Sequence, residues 1–501
     1  MIPWWGLAVL ILGANFMLWG SIGVCRLSGM LVAKVRARRA SRTGPAGDRP
    51  PGPAAHQPRR ARPLTVRDVA VLIPAHNEAV VIADTLRSIM ALVPPGNVHV
   101  VSDASTDGTV DIARQAGANV IETSTNVGKA GALREAMDRF GLIHRFRVVM
   151  LLDADTRVEP GYFDAGLPVF DNPEVVAVAG CVRTAEGRQL SPLGRVLVGH
   201  RQRIYAIGQR VLKFGQTWLR TNATHIVPGF ASMYRTDVLP HIEMNPPGLV
   251  IEDFNMTFEI YQKRLGKVGF TLSAVAVTQD PGTFRDYVRQ TRRWAVGLWQ
   301  TVRRHPPRAN LFTAMLALLL LELVISSLLF LLLPLLLVTL TLPDLAPGTL
   351  AWSPFAQVHQ EIAAHMTLSG VFFGVLVPDL ALTCAVAVLD RRPGLLLIGL
   401  AFPVLRLVDA AIGLAAIPIA WFSASTGRWK SPARRVVPAG PPDPEALEPA
   451  SAPALAAAGA AVQADAQRLR SRLPARPVPR SSERPAASRD HWAVGRPLVR
   501  N

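Results

Sequence analysis

Two aspartates one residue apart, Asp153 and Asp155, follow directly on the apolar run Val148-Val-Met-Leu-Leu152. A strand that bends at its end can aim both carboxylates at one point. Such a pair suits a hard divalent cation, Mg²⁺ or Mn²⁺, that keeps coordination sites open for phosphate oxygens. Taken alone, the same spacing is also that of two turn aspartates. A second candidate is the basic and aromatic run Gln290-Thr-Arg-Arg-Trp294. It sits in Phe284–Trp299, where apolar and basic residues alternate at helical spacing, as on an amphipathic helix lying in a membrane interface.

These residues need elements to position them. Asp68-Val-Ala-Val-Leu-Ile-Pro74 is a short apolar run closed by proline, the pattern of a strand buried on both faces. Leu86 to Leu92 has helical spacing, Val98-His-Val-Val-Ser102 reads as a second strand ending at Asp103, and Val110–Ala116 reads as the next helix. The run before Asp153 is a third strand. Strands alternating with helices, with polar residues at the strands' carboxyl ends, predict an α/β doubly wound sheet with a ligand crevice there. The folded domain is expected to begin near Arg67.

In this order the motifs resemble the inverting glycosyltransferases of family 2, and within them the processive cellulose, hyaluronan, chitin and poly-N-acetylglucosamine synthases. The resemblance covers about Val69 to Trp294 and the apolar segments beyond. Val71-Leu-Ile-Pro-Ala-His-Asn-Glu78 is similar to the family's first strand and nucleotide-contacting turn, with His76 where an aromatic residue is commoner. It implies donor contacts at Pro74, Asn77 and Glu78. Val101-Ser-Asp-Ala-Ser-Thr-Asp-Gly108 resembles the second motif, so that Asp103 would bind uracil, and Asn126-Val-Gly-Lys-Ala-Gly-Ala-Leu133 would bring Lys129 to the donor.

The same resemblance implies that Asp153 and Asp155 are the metal-binding pair, Asp153 also meeting the donor. Gly180-Cys-Val-Arg183 is similar to a segment that approaches the donor through Arg183. Pro228-Gly-Phe-Ala-Ser-Met-Tyr-Arg235 resembles the loop beside the acceptor sugar, placing Gly229 and Phe230 there with Glu252. Ile251-Glu-Asp253 matches a motif usually begun by threonine and implies Asp253 as general base. An inverting transfer needs only one such carboxylate near the acceptor hydroxyl, on the face opposite the leaving nucleotide. Gln290 to Trp294 matches QxxRW, the mark of processive members, with Gln290 and Arg293 at the donor. Arg293 is suited to a pyrophosphate and the flat face of Trp294 to an acceptor sugar. The implied fold is a GT-A-like nucleotide-sugar-binding α/β domain, cytoplasmic, with N- and C-terminal transmembrane helices.

Composition agrees with a membrane protein: half of the 501 residues are apolar, gathered at the N-terminus and between Leu311 and Phe422. The net charge of +18 is mostly arginine beside those runs, which suits an anionic bilayer surface and not nucleic acid. The three cysteines show no CxxC spacing, so no disulfide framework or zinc site is expected. Trp5–Cys25 is uncharged and, at 1.5 Å per residue, roughly matches the ~30 Å hydrocarbon core. The charges after it put the following domain in the cytoplasm and the N-terminus outside.

The expected organisation is an anchor over 1–33, a basic Pro/Gly-rich linker over 34–66, a catalytic domain over 67–283 and an interfacial helix over 284–310. Membrane segments over 311–423, a basic juxtamembrane stretch over 424–438 and a disordered tail over 439–501 complete it. The membrane segments are Leu311–Leu342, Leu368–Leu389 and Leu395–Phe422. Within them Glu322, Asp379, Arg406 and Asp409 either line a glycan path or pair between helices. Three full spans would put Arg428, Lys430, Arg434 and Arg435 outside, against the positive-inside rule. Leu395–Phe422, with Pro403, is therefore expected to be re-entrant or interfacial. Thr426-Gly-Arg-Trp-Lys430 resembles the segment that closes over the donor in processive synthases.

The resemblance implies a multi-pass plasma-membrane enzyme that extends, and exports, a growing glycan from a UDP-sugar, foremost UDP-N-acetylglucosamine, with room for accessory export proteins. Transfer of one sugar to a lipid carrier or short acceptor shares the same motifs. A non-catalytic scaffold would have no chemical need of Asp103, Asp153, Asp155 and Asp253.

Overall fold

The computed structural model describes residues 3–43, 62–185 and 190–423. The expected juxtamembrane stretch, the Thr426–Lys430 segment, the tail and most of the linker lie outside the described residues.

Eight strands form one sheet: β1 (Val69–Ala75), β2 (Val98–Ser102), β3 (Asn119–Glu122), β4 (Val148–Leu152), β5 (Arg157–Val158), β6 (Val175–Thr184), β7 (Ala231–Arg235) and β8 (Lys267–Thr278). Their order is β3-β2-β1-β4-β7-β6-β8-β5. β1 pairs in parallel with β2 and β4, and every residue of these three strands is buried. Successive side chains of a strand point to opposite faces. Val69, Val71 and Ile73 therefore enter one apolar core while Ala70 and Leu72 enter the other. The runs are continuously apolar because both faces are covered.

The sheet departs from a purely parallel one at β7, which is antiparallel to β4 and to β6. This strand carries Ser232 and Arg235 among its five residues, so it lacks the apolar run that marks β1 and β4. Its register sets Ala231 opposite Leu152, and Asp153 N–H donates to the Phe230 carbonyl at 2.9 Å. The loop before β7 is thereby fixed beside the aspartate pair.

Helices α3 (Ile82–Met90), α4 (Thr109–Gln115) and α5 (Gly128–Arg139) connect the parallel strands; α6 (Pro192–Ile207), α7 (Glu252–Gln262) and α8 (Phe284–Arg304) follow. Four segments are long and apolar enough to cross a membrane: Ala14–Ala33, Leu311–Leu345, Leu368–Leu389 and Gly394–Phe422. The N-terminal run is not one uninterrupted helix. Gly13, with φ 89°, separates α1 (Trp4–Leu12) from α2 (Ala14–Thr43), and α2 continues into the stretch expected as linker. Glu322 of α9 (Leu311–Leu345) fills the break: its Oε2 accepts from Asn15 N–H at 2.9 Å and from Asn15 Nδ2 at 2.8 Å. A free N–H at a helix start needs such a partner, all the more in lipid.

The other charges of the apolar helices are paired in the same way. Asp379 accepts from Arg203 of α6 and from Arg406, each at 2.7 Å. Asp409 accepts from the Tyr287 hydroxyl at 2.7 Å and lies 3.1 Å from His200 Nε2. Of the two roles expected for these residues, pairing is the one observed. The turn expected at Pro403 does not occur, because Pro403 falls in the first turn of α10 (Phe402–Phe422), where its missing N–H costs no hydrogen bond. α10 lies along α8, with contacts from Tyr287–Asp409 at one end to Arg303–Trp421 at the other.

Candidate active site

The carboxyl ends of β1, β2 and β4 meet the N-termini of α5 and α7 and the loop that opens β7. Lys129, in the first turn of α5, links three of these elements: its Nζ lies 2.8 Å from Asp153 Oδ1 and 2.9 Å from Glu252 Oε1. Glu252 and Asp253 open α7, where exposed backbone N–H groups favour negative charge. Gly229 closes the cluster. A Cβ there would come within 3.1 Å of Lys129 Nζ and 3.4 Å of Glu252 Oε1, and its N–H donates to Asp253 Oδ2 at 3.3 Å. Lys129, Asp153, Gly229, Glu252 and Asp253, far apart in sequence, form one constellation.

The charges divide the roles. Burial lowers the affinity of Lys129 for its proton, but Asp153 and Glu252 outweigh it and hold the ammonium above its usual range. Glu252 would be raised by burial, yet Lys129, with help from Arg293, keeps it low and ionised. Asp153 goes the other way: burial raises it and the neighbouring Asp155 adds to the rise against Lys129. Asp253 is pushed up to about 6, by burial first and by Glu252 second. A carboxylate with that value is matched to accept a proton near neutral pH.

Asp153 and Asp155 offer hard oxygen ligands whose mutual repulsion a divalent cation would relieve, so the donor set fits Mg²⁺ or Mn²⁺. Among the described residues no group of three metal-ligating side chains is assembled. The remaining sites of such an ion would be left to phosphate oxygens and water.

Asp103 lies beneath this surface, fully buried. Its carboxylate accepts from Val127 N–H at 2.8 Å, Gly128 N–H at 2.9 Å and Thr123 Oγ1 at 3.0 Å, so it orients the turn that carries Lys129. Asn77, with φ 56°, uses its Oδ1 to hold Thr106 N–H at 2.8 Å. Glu78 is buried and its N–H donates to Thr109 Oγ1, while Pro74 is buried within β1 beside Val101. These residues shape the crevice wall. Arg183 ion-pairs with Glu159.

On α8, Trp294 packs with Ile251 and Phe254 beside the base, and one ring face carries the Arg201 guanidinium at 4.5 Å. Arg201 also stands 4.5 Å over Tyr287, one heptad earlier on the helix. Arg293 is exposed, and Gln290 Oε1 is buried without a hydrogen-bond partner. α8 is fastened to the segment before the base: Gln290's neighbour one helix face along, Gln300, accepts from Val250 N–H at 3.0 Å, and a Cβ on Gly297 would meet Ile251 at 3.0 Å.

Sequence reasoning missed Asp280 and Arg201. Asp280 accepts from Thr184 Oγ1 at 2.8 Å and the Tyr205 hydroxyl at 3.0 Å. Burial pushes its carboxyl up to about 6 against those hydrogen bonds, and Asp155 adds to the rise. An acid four residues before an amphipathic helix was a signal for Asp280; Arg201 stands among several arginines of α6 and had none.

Residues 67–297 match the family model described as Glycosyltransferase like family 2. The Escherichia coli (strain K12) protein named Uncharacterized glycosyltransferase YaiP is 28% identical over 244 residues, 47% of this chain and 58% of that protein. An undecaprenyl-phosphate mannosyltransferase of Micrococcus luteus is 28% identical over 205 residues, 40% of this chain and 79% of its own length. The chain thus spans just over half of the first relative. Among solved structures, the mannosyltransferase PcManGT of Pyrobaculum calidifontis, in complex with GDP-Man and Mn²⁺, aligns with 80% of this chain and 99% of its own at TM-score 0.42 and 19% identity. The matched residues take in the whole sheet, the Lys129 constellation and most of α8, and this segment is a glycosyltransferase family 2 domain.

Proposed function

We propose that the chain is a membrane-bound inverting glycosyltransferase that moves one hexose from a nucleotide-diphosphate sugar to a lipid-carried acceptor at the membrane surface. The observation that carries this reading is Asp253: a proton acceptor tuned to about 6, set beside a lysine-bridged carboxylate cluster. The flanking apolar helices supply the lipid surface. The name of the Micrococcus relative supports a lipid phosphate as acceptor and mannose as one sugar to test.

Asp253 takes the proton of the acceptor O–H as that oxygen forms its bond to the anomeric carbon from the face opposite the nucleotide. The bond to the nucleoside diphosphate breaks, and inversion follows from one displacement. Lys129 holds Asp153 and Glu252 in place, so both stay ordered while charge builds on the leaving phosphates. A divalent ion held by Asp153 and Asp155 supplies electrostatic stabilisation of the leaving diphosphate when bound. Trp294 forms the apolar wall next to the base.

Processive synthesis of a polymer from UDP-N-acetylglucosamine is the second reading, and the match of Gln290 to Trp294 to QxxRW favours it. Against it, Glu322, Asp379, Arg406 and Asp409 all spend their charge on protein partners. The test uses the full chain in nanodiscs with Mn²⁺, labelled GDP-mannose, UDP-glucose or UDP-N-acetylglucosamine, and polyprenyl phosphate. One sugar per lipid is the expected product; a distribution of long chains formed without added lipid would replace the reading with the second.

A further inference from the structure

α6 does not end as an ordinary helix. It passes into a π-turn over Gly208–Lys213, a form with one extra residue per turn that recurs at functional sites. The turn delivers Lys213 into the interior, 8% exposed. Among the described residues the Lys213 ammonium has no hydrogen bond and no ion pair, although a buried cation without a partner is costly. The acidic group whose field it feels most is Asp253. Its other neighbour of that kind, Cys181, is pushed up to about 11 by burial and is therefore a neutral thiol and no counter-ion. His225, four residues before Gly229, lies within the field of Lys213, and its Nδ1 is buried without a partner.

The same turn touches the membrane. Val211 packs on Gly20, Phe214 on Gly23, and a Cβ at Gly215 would meet the Trp19 carbonyl at 2.2 Å, all in the part of α2 long and apolar enough to span. Lys213 thus stands between the base and the first membrane helix, unpaired, next to an unsatisfied imidazole nitrogen. The donor's phosphates already have Lys129 and the aspartate pair. An anion that reaches Lys213 from the lipid side would carry its own charge into the vacancy.

We infer that Lys213 and His225 form an anion site on the acceptor side of Asp253, which receives the phosphate of a lipid acceptor, as a lipid monophosphate or as the diphosphate of a lipid-linked sugar. This rests on the lipid-acceptor reading above and assigns the residues that would recognise it. Lys213 supplies the charge, and His225, neutral because burial holds it down at about 4, supplies one N–H or one lone pair according to tautomer.

The full chain in nanodiscs is titrated with a short polyprenyl phosphate, the matching polyprenyl alcohol, a polyprenyl-diphosphate-linked sugar, and UDP or GDP with Mn²⁺. The native chain is expected to prefer a phosphorylated lipid over the alcohol, and whichever of the two binds tighter identifies the source of the phosphate. Lys213→Met should erase that preference, a loss of roughly 30-fold. Lys213→Arg should keep most of it, and nucleotide affinity should change less than about twofold in both, which also reports that the variants are folded. A purely structural lysine predicts a lower Tm for Lys213→Met with the lipid preference intact, and that result overturns the inference. So does an equal loss of nucleotide affinity, which would move Lys213 to the donor. If the native chain transfers sugar to the lipid phosphate but Lys213→Met does so equally well, only this assignment fails. If the native chain binds no lipid phosphate and glycosylates neutral glycans alone, both readings fail.

Discussion

Asp253 and Glu252 are adjacent carboxylates with opposite fates, and the difference comes from one lysine. Lys129 contacts Glu252 and not Asp253, so Glu252 stays ionised while its charge helps raise its neighbour. Only the ionised form of Asp253 can accept a proton. kcat/KM for transfer is therefore expected to fall tenfold per pH unit below about 6 and to level above it, and a profile flat from 5 to 8 would exclude Asp253 as the titrating base. The linkage sign is that of a raised carboxyl: the stability it contributes is present below its ordinary value and is lost as pH rises through about 6. Asp253→Asn should thus abolish turnover by about 10²- to 10⁴-fold yet raise Tm at pH 8, with nucleotide affinity kept. Asp155→Ala should instead weaken metal-dependent nucleotide binding, which calorimetry with and without Mn²⁺ would separate. Most of these residues were legible in the sequence by type and order. Their partners were not: the Lys129 to Glu252 bridge joins residues with no local signal, and the burial of Asp103 depends on a turn that comes twenty-odd residues later.

Elements show the same division. β1, β2 and β4 announce themselves as continuous apolar runs because both sheet faces are covered. β3 and β7 do not, since β3 is partly exposed and β7 is short and mixed in polarity. The break at Gly13 was hidden because a glycine inside an apolar helix is ordinarily tolerated; it is the distant Glu322 that makes a break affordable by taking the freed N–H. Helix α8 illustrates how an element reaches the chemistry through packing. Gly297 lets it lie against Ile251, one residue from Glu252. Gly297→Val should push that segment and lower kcat well beyond its effect on donor KM, whereas the same change at Gly96, with open space around it, should leave both unchanged. Trp294→Ala should reduce acceptor-dependent transfer more than slow donor hydrolysis, because the ring lines the base and not the aspartate pair. Equal losses in the two assays would reduce Trp294 to a packing residue that shelters Arg201.

At the scale of the molecule, the arrangement of α10 bears on which side of the membrane each end occupies. α8 is amphipathic, with Arg289, Arg292 and Arg293 exposed, and such a helix lies in the interface. α10 runs beside it from Asp409 to Trp421, held by Tyr287 at one end and Arg303 at the other, with Val296 and Trp299 packed on Ala416 and Ala420 between. A helix bound along an interfacial partner over that length shares its plane. Only Ala14–Ala33, Leu311–Leu345 and Leu368–Leu389 then cross. With the N-terminus outside, one crossing brings the family 2 domain inside and two more bring the chain back inside after Leu389. Arg428, Lys430, Arg434 and Arg435 then satisfy the positive-inside rule that four crossings would violate. A tag fused after Asn501 should accordingly resist protease in intact spheroplasts, as should one in the 186–189 loop of the domain, while a tag ahead of Trp4 should be cut. Cleavage of the C-terminal tag without permeabilisation would mean that Gly394–Phe422 crosses after all, and that α8 must tilt with it out of the membrane plane.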